Sequence, residues 1–316
     1  MNPKENTFVI PYLGGELIHK CLETMYKHNP DNFYCFIVDQ SIEGLDPKLR
    51  DKYKNLMVIR TAKSDIHTTG NLGHSQATNL GIQLCQTPYV TMLNDDVEFI
   101  DKRWWQGILD TFKKVKEVSP TRPAIMVNAA SVKLPDWSVG RPKGDDHYII
   151  PYKENYTDED WDSLVNDSHY VNERLTITPG SVIDGINLYC TVAETKKLLE
   201  IGLIDDFWYP GSFNDYDICC RASMFGYRSV GTTLSWVFHH WSKTFENAEQ
   251  MQMLVQDELK HINEREKWGD RFDLWGVKCT QKDCNEIMHT TDGIKAVCPI
   301  HPEEVYAIPE TTVDPL

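Results

Sequence analysis

The chain has 316 residues, 41% of them hydrophobic, which suffices for one large α/β domain, with or without an appendage, and excludes disorder as the general state. Lys and Arg total 32 against 47 for Asp and Glu, and the net charge of -15 disfavours counterion-driven adhesion to nucleic acid or anionic membrane. The polar start, Met1 to Asn6, lacks the charged-then-apolar layout of a secretory signal, and no apolar stretch reaches the roughly 20 residues of a membrane span, so a soluble, cytoplasmic protein is expected.

The run TFVIPY, stopped by Pro11 and followed by Gly14 and Gly15, predicts a buried strand passing into a loop. A helix is expected over about residues 16 to 28, with Leu17, Cys21, Leu22 and Met25 on one face. FYCFIVDQS is a second strand ending on Asp39, and LMVIRT (56 to 61) a third. GNLGHSQATNLGIQLCQ places Ala77, Leu80 and Leu84 at helical spacing behind a glycine-containing turn. The fourth strand, YVTML, ends on Asn94 and the adjacent carboxylates Asp95 and Asp96, and apolar sequence resumes at Val97. Strand and helix alternating in this way predict a mostly parallel sheet with crossover helices, and ligands gather beyond the carboxyl ends of such strands.

Farther on, RWWQGILDTFKKV reads as a helix, AIMVNAASV as a strand, and 135 to 170 as a polar surface loop or lid, with Thr157 and Asp160 spaced as a capping pair. VIDGINLYCTVAETKKLLEIG continues as strand and helix, and YRSVGTTLSWVFHHW as a strand ending at His239 and His240. Residues 246 to 268 carry an amphipathic stripe of Met251, Leu254, Val255, Leu259 and Ile262, with Gly269 as its stop. Cys35, Cys85 and Cys190 sit inside apolar runs and read as reduced core thiols.

Two carboxylates at a strand end make a hard, oxygen-rich site suited to Mg²⁺ or Mn²⁺, although for an isolated pair a helix-start or turn role is the commoner one. The surrounding pattern adds to this. Asn71, Leu72 and Gly73, then Asn79 and Gly81, then Asn94, Asp95 and Asp96 resemble, in order, the turn, helix and strand-end motifs of family 2 glycosyltransferases of the GT-A fold, with a rhamnosyltransferase-like flavour. A second block, with Gly202, Asp205, Asp215, Asp217, Arg221, Ala222, Gly226, Tyr227 and His239, resembles the acceptor-side segment of that family, except that Asn214 stands where a glutamate is usual.

The resemblance covers roughly residues 7 to 245. It implies a GT-A domain over 1–245, with a nucleotide-binding half to residue 100 and an acceptor half after it. It also implies a metal-dependent, inverting transfer of a hexosyl or pentosyl unit from a nucleotide-diphosphate sugar to a hydroxyl. Pro11, Tyr12, Asp39, Asn71, Gly73, Asn79, Asn94 and Asp95 would then serve the donor, and Asp96 and His239 the catalytic Mn²⁺ or Mg²⁺. Asp215 would be the general base, and Trp104, Gly185, Asn214, Asp217 and His240 would face the acceptor. The acceptor class stays open among glycan, lipid-linked glycan, protein, small molecule and modified DNA base. A nucleotidyltransferase, or a carbohydrate-binding protein without turnover, is the alternative.

The remaining segment, 246–316, is expected to hold the amphipathic helix and a zinc-ribbon-like appendage. Cys279, Cys284, Cys298 and His301 are separated by four, thirteen and two residues, which suits a closed structural Zn²⁺ site, with His289 as an alternative ligand.

Overall fold

A computed structural model describes residues 4–29, 32–61, 71–132, 147–148, 186–208, 214–240, 295–297 and 305–307. The first half holds the expected elements, β1 (Asn6–Tyr12), α1 (Leu17–His28), β2 (Phe33–Asp39), β3 (Leu56–Arg60), α3 (Gly73–Gln83) and β4 (Tyr89–Leu93), and adds a short helix that was not expected, α2 (Pro47–Lys52), between β2 and β3. After it come β5 (Val97–Phe99), α4 (Trp104–Val118), β6 (Ala124–Val132), β7 (His147–Tyr148), β8 (Cys190–Glu194), α5 (Thr195–Glu200), a short 3-10 turn at Asp206–Trp208, α6 (Asn214–Met224) and β9 (Arg228–His239). β10 (Lys295–Val297) and β11 (Val305–Ala307) pair with each other in an antiparallel ribbon.

The other strands form one nine-stranded sheet in the order β3-β2-β1-β4-β8-β6-β9-β5, with β7 beside β6. β3, β2, β1 and β4 are parallel, which matches the expectation for the first half. The second half corrects it: β8 runs antiparallel to both β4 and β6, and β5 antiparallel to β9, so the sheet is mixed. The reason is one of connection, since β5 follows the Asp95–Asp96 turn with no helix between and cannot form a crossover.

Alternation along the strands builds a core on each face of the sheet. Phe8 and Ile10 of β1 point to one side, where they join Ile37, Phe99, Trp104 and the buried stripes of α1 and α4. Val9 points to the other and meets Ile82 of α3, Met92 of β4, Leu198 of α5 and Ile218 of α6. The α1 stripe of Ile18, Cys21, Leu22 and Met25 follows helical spacing. Cys21, Cys35, Cys85, Cys190, Cys219 and Cys220 are free thiols, as expected for a reduced interior; burial pushes those of Cys35 and Cys190 well above the usual range.

Two glycines are fixed by contact. A Cβ on Gly81 would lie 2.3 Å from Val9 Cγ1, so this residue of the Asn79/Gly81 motif lets α3 lie close against β1. At Gly107, in α4, a Cβ would lie 1.9 Å from the Leu234 carbonyl oxygen, where β9 departs from regular pairing with β6 between Thr232 and Trp236. Backbone cannot yield as a side chain can, so Gly107→Ala should cost about 1–3 kcal/mol or more through overpacking, read as a lowered midpoint in urea denaturation.

Expectations at Thr157, Asp160, Asp184, Gly185, the helix at 246–268, His289 and the set Cys279, Cys284, Cys298 and His301 fall outside the described residues, as does the loop at 135 to 170 apart from β7. Among the described residues, no helix is long and apolar enough to cross a membrane.

Candidate active site

The topology selects the place. β1 is continued outward through β2 and β3 on one side, and β4 returns to its other side, so the carboxyl ends of β1 and β4 flank a switch point where an α/β sheet opens a crevice. Tyr12, Asp39 and the Asn94–Asp96 turn all lie at these ends.

Register brings the acidic turn to the histidine strand. β8 pairs Cys190 with Leu93, and the Asn94 N–H donates to the Tyr189 carbonyl at 2.9 Å. The chain then turns through Asp95 and Asp96 into β5, whose Val97 pairs with His239. The His240 N–H donates to the Asp96 carbonyl at 3.0 Å, which closes the ladder. As a result Asp96 Oδ1 lies 3.1 Å from His239 Nε2, with both side chains buried. The imidazole of His239 stacks on the Tyr189 ring at 4.7 Å, and the Tyr189 hydroxyl donates to the Ala129 carbonyl, so the ring has a fixed backing.

These groups fit a divalent cation. Asp96 Oδ1 is buried and receives no well-formed hydrogen bond despite the nearby nitrogen, as expected of two ligand atoms converging on a common partner. The donor set is one carboxylate oxygen and one imidazole nitrogen, with Asp95 next to it in sequence, and both are ligand types that divalent cations accept. Among the described residues no group of three or more His, Cys, Asp or Glu closes around a metal, so the protein offers an open, partial set. Phosphate oxygens and water complete sites of that kind.

Tyr12 stands at the end of β1 with its hydroxyl donating to the Gly15 carbonyl at 3.2 Å. Burial, then the negative charges of Asp95 and Asp39, push its pKa up to about 12, so it stays a neutral phenol. Pro11 lies beside Val38 in the β1–β2 register. The Asn71 side chain accepts from the Gly73 N–H at 2.8 Å and braces the turn into α3, where Gly73 has φ +78, while the Leu72 N–H donates to Gln40 Oε1 at 2.7 Å. The turn that leads into α3 is therefore anchored to the end of β2.

Several expected ligand-binding residues prove to be tied up within the chain. Asn79 donates from Nδ2 to the Ile204 carbonyl at 2.6 Å and accepts from the Ile204 N–H at 3.1 Å, clamping α3 to the loop after α5. Trp104, expected at the acceptor, is fully buried; its indole N–H donates to Asn29 and its ring packs against Phe8 and Phe99. Asp217 is buried and accepts from Arg221 at 2.6 Å one helical turn on, and Arg221 also donates to the Gly202 and Leu203 carbonyls. His240 pairs through Nε2 with Glu98 Oε1 at 2.7 Å.

Asp39 is held in the same way. One oxygen accepts from the Ser41 hydroxyl at 2.6 Å and the Ser41 N–H at 3.0 Å, the other from the Leu45 N–H at 2.8 Å and Arg60 Nη1 at 2.5 Å. Burial pushes the carboxyl pKa up, but the Ser41 hydroxyl, the Leu45 N–H, Arg60 and the Ser41 N–H together outweigh it and hold the group below its ordinary value.

The first turn of α6 carries Asn214 and Asp215, with Asn214 buried and Asp215 half-buried. A residue absent from the sequence reading links them toward the acidic turn: His74 Nδ1 lies 3.0 Å from Asn214 Nδ2, and the Asn94 side chain is a polar neighbour of the same ring. Only its place directly after the Asn71–Gly73 turn could have marked it in the sequence.

Because the folded Asp39 pKa lies below the unfolded value of about 3.9, its stabilisation is present above that value and is lost as pH falls through the folded pKa. Asp39→Asn should therefore lose about 1–3 kcal/mol near neutral pH, with the gap to wild type closing in acid, as read from chemical denaturation at both pH values.

The glycosyl transferase family 2 profile matches residues 7–170, just over half of the chain. No curated protein sequence matches at a significant level. Among solved structures, the mannosyltransferase PcManGT from Pyrobaculum calidifontis, in complex with GDP-Man and Mn²⁺, is similar with a TM-score of 0.51 and 14% identity over 83% of this chain and 65% of that one. GalNAc-T7 with UDP, GalNAc and Mn²⁺ is similar with a TM-score of 0.50 and 16% identity over 75% of this chain and 44% of that one. The chain thus spans less than two thirds of the length of either protein, and at these identities the likeness speaks to the fold. Profile match, mixed sheet and switch-point site agree, and the chain belongs to glycosyl transferase family 2.

Proposed function

We propose that the protein is a metal-dependent, inverting glycosyltransferase that moves a sugar from a nucleoside-diphosphate donor to a hydroxyl acceptor. The observation that carries this reading is the approach of Asp96 and His239 to 3.1 Å at the end of β4. Family membership and structural neighbours solved with Mn²⁺ and nucleotide or nucleotide-sugar ligands support it.

Asp96 and His239 would hold the cation, with Asp95 beside them. When bound, the ion supplies positive charge against the diphosphate, which becomes more negative as the glycosidic bond breaks. Tyr12, as a neutral phenol at the end of β1, can donate or accept a hydrogen bond toward the donor without adding a second negative charge there. The stacked, buried His239 ring keeps its nitrogen aimed and limits water behind it. Across the cleft Asp215 accepts the proton of the acceptor hydroxyl as that oxygen bonds to the anomeric carbon and the bond to the diphosphate breaks. A single displacement of this kind inverts the anomeric centre. Asp217 serves by holding α6 against the 202–203 loop through Arg221.

A panel of nucleotide sugars, screened by thermal shift with Mn²⁺ and then assayed for nucleoside diphosphate release, should give metal-dependent turnover that excess chelator abolishes. Asp96→Ala should lower kcat on the order of 10²–10³-fold, the scale of losing a group that stabilises transition-state charge. Full activity of that variant in chelator would overturn the reading. Asp215→Asn should lower kcat of transfer on the order of 10²–10⁴-fold while leaving binding of Mn²⁺ and nucleoside diphosphate intact, as measured by calorimetry.

A further inference from the structure

His74 stands between the two sides of the cleft. Its Nδ1 faces Asn214 Nδ2 at 3.0 Å, the Asn94 side chain is its other polar neighbour, and Asn94 Nδ2 in turn lies 3.5 Å from His239 Nε2. A string of four side chains thus joins the first turn of α6 to the end of β4 and the end of β9.

The element that carries the ring is independently anchored. Asn71 braces the turn into α3 through the Gly73 N–H, Leu72 is tied to Gln40, Asn79 clamps Ile204, and Gly81 lies against Val9. An amide nitrogen only donates, so with Asn214 Nδ2 as its partner His74 Nδ1 is an unprotonated acceptor, and a neutral ring then carries its proton on Nε2. Burial holds the imidazole pKa below the usual histidine range, offset in part by the Asn94 hydrogen bond, and this agrees with a neutral ring.

We propose that His74, as a neutral imidazole protonated on Nε2, is a positioning residue for glycosyl transfer, holding the first turn of α6, and with it Asp215, in register with the Asn94–Asp96 turn. The inference rests on the assignment of Asp215 and Asp96 made above. The need is geometric: a general base must lie within hydrogen-bond reach of its proton, and misplacement by about 1 Å can cost on the order of 10²-fold in rate. Asp215 and Asp96 come from elements far apart in the sequence, and the Arg221 contacts of α6 hold it to the 202–203 loop and not to β4. The His74 link spans that gap directly.

Two readouts on the full-length chain test this. In the first, histidine-selective ¹⁵N NMR near pH 7, with the His74 signal assigned by its loss in His74→Gln, should show Nδ1 bare and Nε2 protonated. In the second, His74→Phe keeps the ring volume but has no polar atom, and His74→Gln retains a donor and an acceptor. With Mn²⁺ and UDP-GlcNAc or GDP-Man as probes, His74→Phe should lower kcat about tenfold or more, leave the Kd for UDP or GDP with Mn²⁺ within about twofold, and be partly rescued by His74→Gln. A charged or Nδ1-protonated ring, an unchanged kcat in His74→Phe, or a fall in nucleotide affinity that equals the fall in kcat would each overturn the inference. If wild type neither cleaves these donors nor binds Mn²⁺ with UDP or GDP, it is the functional reading that fails, and the NMR result alone then decides the role of His74.

Discussion

The site depends on one approach, that of the Asp96 carboxylate to the His239 imidazole at the edge of a cleft. Two buried polar groups at 3.1 Å are costly unless something repays their lost hydration, and the surroundings are arranged to hold them there regardless. β5 pairs with the last residues of β9, the His240 N–H reaches back to Asp96, and Tyr189 backs the imidazole ring. The antiparallel reversals in the second half of the sheet, which depart from a simple alternating α/β pattern, produce this geometry. An all-parallel sheet would have sent β5 away from β9.

Around that pair the protein spends many polar groups on internal order. Asp39 is surrounded by donors from Ser41, Leu45 and Arg60, Asn79 grips Ile204 with both ends of its amide, and Asp217 draws Arg221 onto two backbone carbonyls. Each of these fixes a segment that borders the cleft: the loop after β2, the outer flank of α3 and the base of α6. A motif residue can thus matter to a site without touching a ligand. Gly81 is the simplest instance, since the absence of a side chain lets α3 sit against Val9 and brings His74 to the cleft.

The motif residues also bear on how two distant segments are kept in step. The acidic turn belongs to the first half of the sheet and Asn214 and Asp215 to α6, and the chain between them is long. Side-chain hydrogen bonds through His74 offer a short route across, and Asn214, an amide where the family commonly has an acid, suits a neutral histidine partner.

The sequence by itself determined the four strands of the first half, the helices α1 and α3 and the acidic turn at the tip of β4, but not the short α2. Local information suffices there: apolar runs bounded by glycine and proline mark strands, and a carboxylate pair after such a run marks a strand end facing solvent or ligand. It also placed β6 and β9 within a residue or two, and α4 to within one residue at its start and three at its end. What only the tertiary structure decided is which polar residues face the cleft. Trp104 and Trp105 are equally apolar in sequence, yet Trp104 alone is sealed beneath Phe8 and Phe99; Asp215 and Asp217 are two residues apart on one helix, yet the second is consumed by Arg221. His74 shows the same limit from the other direction, since a lone histidine at a helix start has no local signature of partners at Asn94 and Asn214. Those partnerships depend on strand order, on register and on the reversal of β8 and β5, and these arise from contacts between segments far apart in the chain.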